Sequence, residues 1–283
     1  MEAPTHQVSD RVYGAPMALV DVERNVRDHV SICRLNKPER LNSMSFPLVH
    51  DLYGALAEIA EDNDCWVVIL TGAGRGFCSG LDLHDRGVPP NSQDLGFSRL
   101  AMKSMSYMSD VVPAMRAIPQ PIIAAINGPA YGGGMCLTLG ADLRYASESA
   151  QFCSAGLING LTSSELGATY LLPRAVGTSN AAELLLTGRK IDAAEALRIG
   201  LVSKVLADDA LLDHALATAE EMCALSPFGV MMTKQTMWSN LEISSLHAAI
   251  DLENRNQLLA GYTGNLDEAI AAFREKRKPV YKE

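Results

Sequence analysis

The sequence predicts an α/β fold that turns nearly all-helical towards its C-terminus, and three features carry that expectation. Short apolar runs, WVVILTG and PIIAAING, alternate with segments whose apolar residues recur at helical spacing. Each of those runs leads directly into a glycine-rich turn. From about residue 180 onward the chain is helix-rich, with no Pro- or Ser-rich linker ahead of that region.

Taken in order, the first dozen residues are polar and expected to be poorly ordered. VSICRL then reads as a strand that stops at Asn36-Lys37-Pro38, because proline holds the chain out of regular structure there. FPLVHDLYGALAEIAEDNDC has a helical apolar stripe, with Pro47 in a plausible first turn. WVVILTG lacks polar alternation, which suits a strand covered on both faces. Residues 72–98 are dense in Gly, Pro, Asp and Ser and form a long loop, a length that is usually functional in a compact domain. LAMKSMSYMSDVVPAMRAI reads as a helix interrupted near Pro113. Its Met102, Met105 and Met108 recur at helical spacing and are read as core; adaptable methionines would also suit an alkyl pocket. PIIAAING is a second buried strand, Gly132–Gly134 open a helix, and DLRYAS starts a further strand. The expected organisation is a core over residues 1–205 and a helical region over 206–283, packed on that core or on a neighbouring subunit.

Composition narrows the function. The chain has 283 residues, 48% hydrophobic, and a net charge of −9, which argues against nucleic acid or an anionic membrane surface as partner. No secretory signal pattern opens the sequence, and no apolar run reaches the roughly 18 residues of a membrane span. The six cysteines are scattered, without a CxxC pair or histidines at zinc spacing. Reduced thiols in a cytoplasmic protein, and no metal, are the expectation.

The chemistry rests on an internal echo. VVILTGAGRGFCSGLDL and IIAAINGPAYGGGMCL each place a buried strand before a glycine-rich turn. Two such turns side by side can present two backbone N–H donors to one oxygen and stabilise developing negative charge. The helix opening at the triple glycine adds its dipole. Neither stretch is a dinucleotide or P-loop motif, and no nucleophile elbow surrounds Ser79.

In order and spacing, NKPERLNSMS, TGAGRGFCSGLDL, INGPAYGGG, LLPRAVGTSNAAELLLTGRKIDAAEALRIGLVSKV and AFREKRKPVY resemble the enoyl-CoA hydratase/isomerase (crotonase) superfamily from about residue 25 to 280. The resemblance implies a crotonase-like spiral of repeated ββα units with a helical C-terminal region that builds trimers, often paired into hexamers. It implies a coenzyme A thioester as substrate or ligand and no separate cofactor. It places the two oxyanion donors on Leu81 and Gly133. It sets the backbone of Cys78, Ser79, Gly80 and Leu81 against CoA, and brings Lys37, Arg40 and a neighbour's Phe273 and Lys276 towards the nucleotide. A solvated surface charge is the alternative for Lys37, Arg40 and Lys276.

Against the family pattern, both hydratase glutamates are missing: Cys136 and Gly156 occupy their positions. Water addition needs an acid and a base beside the reacting carbons, so ordinary hydration is in doubt. Glu165 falls where isomerase-like members carry an acidic residue. It also fits a T-x-x-E capping box with Thr162. Asp82 reads as a residue bonding its local backbone, Tyr131 as a packed ring with its hydroxyl on a partner, and His84 as solvent-facing. Cys136 is either a reactive thiolate on a helix first turn or an inert core thiol. The expectation is an acyl-CoA enzyme using Leu81, Gly133 and Glu165, by similarity an enoyl-CoA hydratase; the alternative is an acyl-CoA-binding protein without turnover.

Overall fold

The β-branched runs form the centre of a six-stranded sheet in the order β1-β2-β3-β4-β6-β9. These are β1 (Val20–Arg27), β2 (Val30–Leu35), β3 (Val67–Gly72), β4 (Ile122–Ile126), β6 (Leu143–Ser147) and β9 (Lys204–Leu206). The coordinates, a computed structural model, describe residues 18–282, so the expectation for the first dozen residues lies outside them. β1 and β2 pair antiparallel, and every later neighbour in the sheet is parallel. A smaller sheet runs β5-β7-β8. Its strands, β5 (Ala130–Tyr131), β7 (Gln151–Cys153) and β8 (Ile191–Asp192), are too short to leave a periodic signal in sequence.

The helices are α1 (Phe46–Ala60), α2 (Phe97–Ser109), α3 (Val111–Ala117), α4 (Gly133–Gly140), α5 (Ala168–Val176), α6 (Thr178–Thr187), α7 (Ala193–Arg198), α8 (Leu211–Cys223), α9 (Pro227–Asn240), α10 (Leu246–Gly261) and α11 (Asn265–Glu275). β3 is buried along its whole length, which explains its unbroken apolar run. Val68 and Leu70 join the core built with α1, α3 and α4, while Val67 and Ile69 join Leu211, Ala215 and Ala219 of α8. The expected boundary at 205/206 falls inside β9, and α8 beyond it still packs on the main sheet.

Helix ends follow their residues. The Ser45 hydroxyl accepts from the Leu48 N–H at 3.4 Å, and Pro47 occupies the first turn of α1. The expected interruption is a break at Asp110 between α2 and α3, and Pro113 sits in the first turn of α3, where no N–H is needed. One expectation is corrected here. Met108 is core, but Met102 and Met105 are 68% and 66% exposed. Three residues advance a helix by less than a full turn, so successive members of the trio rotate away from one another and only Met108 reaches the interior.

The C-terminal helices are anchored by a buried ion pair. Lys234 Nζ on α9 lies 3.1 Å from Asp142 Oδ2 and donates to the Gln120 carbonyl at 2.7 Å. Trp238 Nε1 donates to Asp142 Oδ1 at 2.6 Å, and the Arg116 guanidinium sits 3.5 Å over the Trp238 ring. Both charged side chains are almost fully buried. Lys234→Met is expected to destabilise the fold by about 3 kcal/mol or more, because it strands a buried carboxylate. Denaturant unfolding measures it; a loss under about 1 kcal/mol would show that Asp142 is satisfied without the lysine.

Candidate active site

β3 and β4 run parallel and deliver their two glycine turns side by side. Asn127 fastens one to the other: its Nδ2 donates to the carbonyls of Gly72 and Gly74, both at 2.9 Å, and its Oδ1 accepts from the Gly72 N–H at 3.1 Å. Asn42 does the same from the segment before α1, donating to the Ala73 and Gly76 carbonyls at 3.0 and 2.8 Å. The Cys78 N–H then donates to Pro129 and the Tyr131 N–H to Cys78, each at 3.0 Å, which lays residues 78–81 along residues 129–133.

This approach needs glycine. A Cβ on Gly134 would overlap the Cys78 carbonyl. Gly80 has φ +86, and a Cβ there would stand 2.7 Å from the Tyr131 oxygen and 3.5 Å from the Gly133 nitrogen. Gly133 is the first residue of α4, so its N–H has no acceptor within the helix. Among the described residues neither the Gly133 nor the Leu81 N–H donates to any backbone group. Two adjoining turns thus present two free donors, backed by the positive end of α4.

Glu165 comes in from the segment between β7 and α5. The chain turns there through Leu166 at φ +44 and Gly167 at φ +81. Leu166 packs towards Gly133, its Cδ2 3.7 Å from where a Cβ on that glycine would be. Glu165 Oε1 lies 3.4 Å from the corresponding point on Gly132, beside Ala155. The carboxylate therefore stands over the glycine turn. Burial pushes its pKa above the usual glutamate value, and among the described residues it accepts no hydrogen bond. The capping-box reading is corrected: α5 starts at Ala168 with Gly167 at its cap, so Glu165 precedes the helix instead of closing its first turn.

The two positions where the resemblance leads one to expect glutamates, 136 and 156, are both closely packed. Cys136 is fully buried, and its thiol faces the Glu165 carbonyl at 3.6 Å. Burial first, then the neighbouring Glu165 and Cys78, raise its pKa well above the ordinary thiol value, so it stays protonated and the thiolate alternative finds no support. At Gly156 a Cβ would overlap the Thr162 carbonyl, because the chain folds back on itself and the Leu161 N–H donates to the Gly156 carbonyl at 2.9 Å.

The residues assigned to CoA divide into two groups. Arg40 is exposed at the end of a 3-10 turn, and its carbonyl accepts from the Ser79 hydroxyl at 3.3 Å, so Arg40 and the segment Cys78, Ser79, Gly80, Leu81 come together. Lys37 is near them, but its ammonium is 2.7 Å from Asp82 Oδ2. Phe273, 85% exposed, stands on α11 and Lys276 caps that helix's C-terminal end, with no hydrogen bond or ion pair to these turns among the described residues. Asp82 does bond its local backbone, accepting from the N–H groups of His84 and Asp85. The Tyr131 hydroxyl is on Gln151, 2.6 Å away, and His84 is exposed. Sequence reasoning missed Met44, whose sulfur stands 2.5 Å from where a Cβ on Gly133 would be; its one signal was its place just after NKPERLN.

Two N–H groups without backbone acceptors and one half-buried carboxylate thus lie on or beside the same pair of glycine turns, an arrangement of the kind that can hold an oxyanion near an acid/base. The family model described as enoyl-CoA hydratase/isomerase matches residues 25–283, and the chain belongs to that family as an enzyme of the hydratase/isomerase type. The chain is 48% identical to the "Probable enoyl-CoA hydratase" of Mycobacterium bovis over 270 residues, 95% of this chain and 94% of the relative. It superposes on a probable enoyl-CoA hydratase/isomerase from Mycobacterium abscessus with a TM-score of 0.89 and 44% identity, covering 94% of this chain and 99% of that one. A monofunctional enoyl CoA isomerase from M. smegmatis matches with a TM-score of 0.70 and 45% identity over 82% of this chain and 98% of that one.

Proposed function

We propose that this enzyme moves a double bond in an enoyl-CoA thioester, with Glu165 as its single acid/base and the N–H groups of Leu81 and Gly133 as its oxyanion hole. The observation that carries the reading is the lone Glu165 carboxylate over Gly132, with no second carboxylate at residues 136 and 156. Glu165 takes a proton from C2 of a 3-enoyl thioester. The electrons move onto the thioester oxygen, where the two donors hold the enolate. Glu165 returns the proton to C4, and the double bond comes to rest between C2 and C3. Proton and electrons balance without a cofactor or a water.

Arg40 and the backbone of residues 78–81 are assigned to CoA, supported by their meeting at Ser79. Phe273 and Lys276 reach the nucleotide from a neighbouring chain in a trimer or hexamer. That assembly is supported by apolar side chains left exposed on α10 and α11, among them Leu246, Leu258, Leu266 and Phe273. Six free cysteines fit a reducing, cytoplasmic setting. No helix among the described residues is long and apolar enough to cross a membrane.

The test is to incubate the purified protein with 3-enoyl- and 2-enoyl-CoA series and follow the absorbance of the conjugated thioester. The expected result is gain of conjugation from the 3-enoyl compounds without hydration of the 2-enoyl compounds. Hydration without isomerisation, or acyl-CoA binding without any turnover, overturns it. The pH profile gives a second check. Glu165 must be ionised to accept a proton, and burial raises its pKa. The acid limb of kcat/KM is therefore expected above the ordinary glutamate value of about 4.3. A limb at or below that value would put the base elsewhere.

A further inference from the structure

A buried charge beside the glycine turns is Asp82, the residue after the proposed Leu81 donor. Its side chain is 2% exposed and its Oδ2 is shared by Lys37 Nζ at 2.7 Å and the Ser43 hydroxyl at 2.9 Å. Its Oδ1 accepts from the N–H groups of His84 and Asp85 at 2.9 and 3.0 Å. Both oxygens are therefore engaged, one to the segment before α1 and one to the loop after Leu81. Burial alone would raise this carboxyl's pKa. Lys37, the two N–H groups and Ser43 outweigh it and hold the pKa far below the usual carboxylate range. Asp82 is ionised at all working pH values, which makes it an anchor and not a proton carrier.

The anchor has a target. The Met44 N–H donates to the Gly80 carbonyl at 2.7 Å, and the Asp82 N–H donates to the Met44 carbonyl at 2.9 Å. The Gly80 carbonyl and the Leu81 N–H belong to one planar peptide group and point in opposite directions. Holding that carbonyl on Met44 therefore fixes the direction of the Leu81 N–H. Met44 is held in turn because its neighbour Ser43 and the nearby Lys37 are both tied to Asp82.

We infer that Lys37 and Asp82 are positioning residues for the Leu81 oxyanion donor, with the Lys37 ammonium committed to Asp82 and not to a CoA phosphate. The inference rests on the proposed oxyanion role of Leu81. It separates two consequences of losing the lysine. A phosphate contact helps ground state and transition state equally and shows in KM. An aligned oxyanion donor counts most where the charge develops and shows in kcat.

The experiment compares wild type with Lys37→Met, Lys37→Arg and Ser43→Ala. It measures kcat and KM for 3-enoyl-CoA at low and high salt, and the infrared carbonyl stretch of a bound, unreactive acyl-CoA thioester. For Lys37→Met, kcat is expected to fall about 10- to 100-fold with KM changed less than about 3-fold, as a misaligned donor predicts. The carbonyl stretch should rise, reporting a weaker hydrogen bond to the thioester oxygen. Lys37→Arg is expected to recover part of both losses. Ser43→Ala, the milder change, should show smaller shifts of the same kind, and it carries the test if Lys37→Met does not fold. A raised, salt-sensitive KM with wild-type kcat and an unmoved stretch would overturn the inference and return Lys37 to the phosphates. Wild-type values throughout would overturn it too. If wild type turns over no enoyl-CoA while the stretch still responds to these variants, the isomerase reading fails and the positioning role stands.

Discussion

Glu165→Gln is expected to lower kcat for double-bond migration by about 10²- to 10⁴-fold, the usual contribution of a positioned acid/base. The amide keeps the size of the side chain but cannot take the C2 proton. Acyl-CoA affinity should stay within a few-fold, because the proposed donors at Leu81 and Gly133 and the proposed CoA contacts are untouched. The fold should survive and even gain. A glutamate whose native pKa lies above its unfolded value contributes stability that is complete below the unfolded pKa and is lost as pH rises through the native one. Above the native pKa that contribution is gone, so at such pH the glutamine variant should melt at the same temperature or slightly higher. Stopped-assay rates, calorimetric binding and thermal unfolding on the same preparation read all three quantities. A glutamine variant with wild-type kcat would exclude Glu165 as the base; loss of rate together with loss of binding and stability would mean damage to the site, not to its chemistry.

What the sequence revealed, and what it hid, follows from how local each signal is. WVVILTG and PIIAAING announced buried parallel strands because covering both faces of a sheet leaves a continuous apolar run. YGGG announced close backbone approach, and Gly80 and Gly134 do stand where any Cβ would strike the opposite turn. Asn42 and Asn127 gave no comparable warning. Each joins segments about thirty residues or more apart, and a lone asparagine in a loop looks the same whether it caps a turn or staples two of them. Lys37 was harder still. Its motif suggested a cation for CoA, and only the fold brings Asp82, 45 positions away, within reach of its ammonium. Glu165 was legible as a carboxylate of interest, but the capping-box pattern around it depended on a helix that starts later than the spacing suggested.

Placing glutamates at both positions where the resemblance expects them, Cys136→Glu with Gly156→Glu, is expected not to create a hydratase and to destabilise the protein by more than about 3 kcal/mol. At residue 136 the new carboxylate would replace a fully buried thiol and lie next to Glu165, itself already raised in pKa by burial. Two like charges in that space cannot both ionise at neutral pH, so one becomes a neutral acid and the proposed base is compromised. At residue 156 the obstacle is steric. The Thr162 carbonyl occupies the place of a Cβ, and the hydrogen bond from Leu161 to Gly156 holds the chain in that fold-back. A side chain there must displace residues 156–162, the segment leading into Glu165. The double variant should therefore lose isomerisation without gaining hydration, measured with 3-enoyl- and 2-enoyl-CoA alongside its unfolding midpoint. Cys136→Glu alone should lose most of the isomerase rate while unfolding closer to wild type than the pair, because it leaves the fold-back intact. Measurable hydration by the double variant would show that the loop yields to a side chain at 156 and that only the carboxylates were missing. Absence of hydration together with a collapsed unfolding midpoint would place the barrier in the backbone, so that two substitutions alone do not lead to water chemistry.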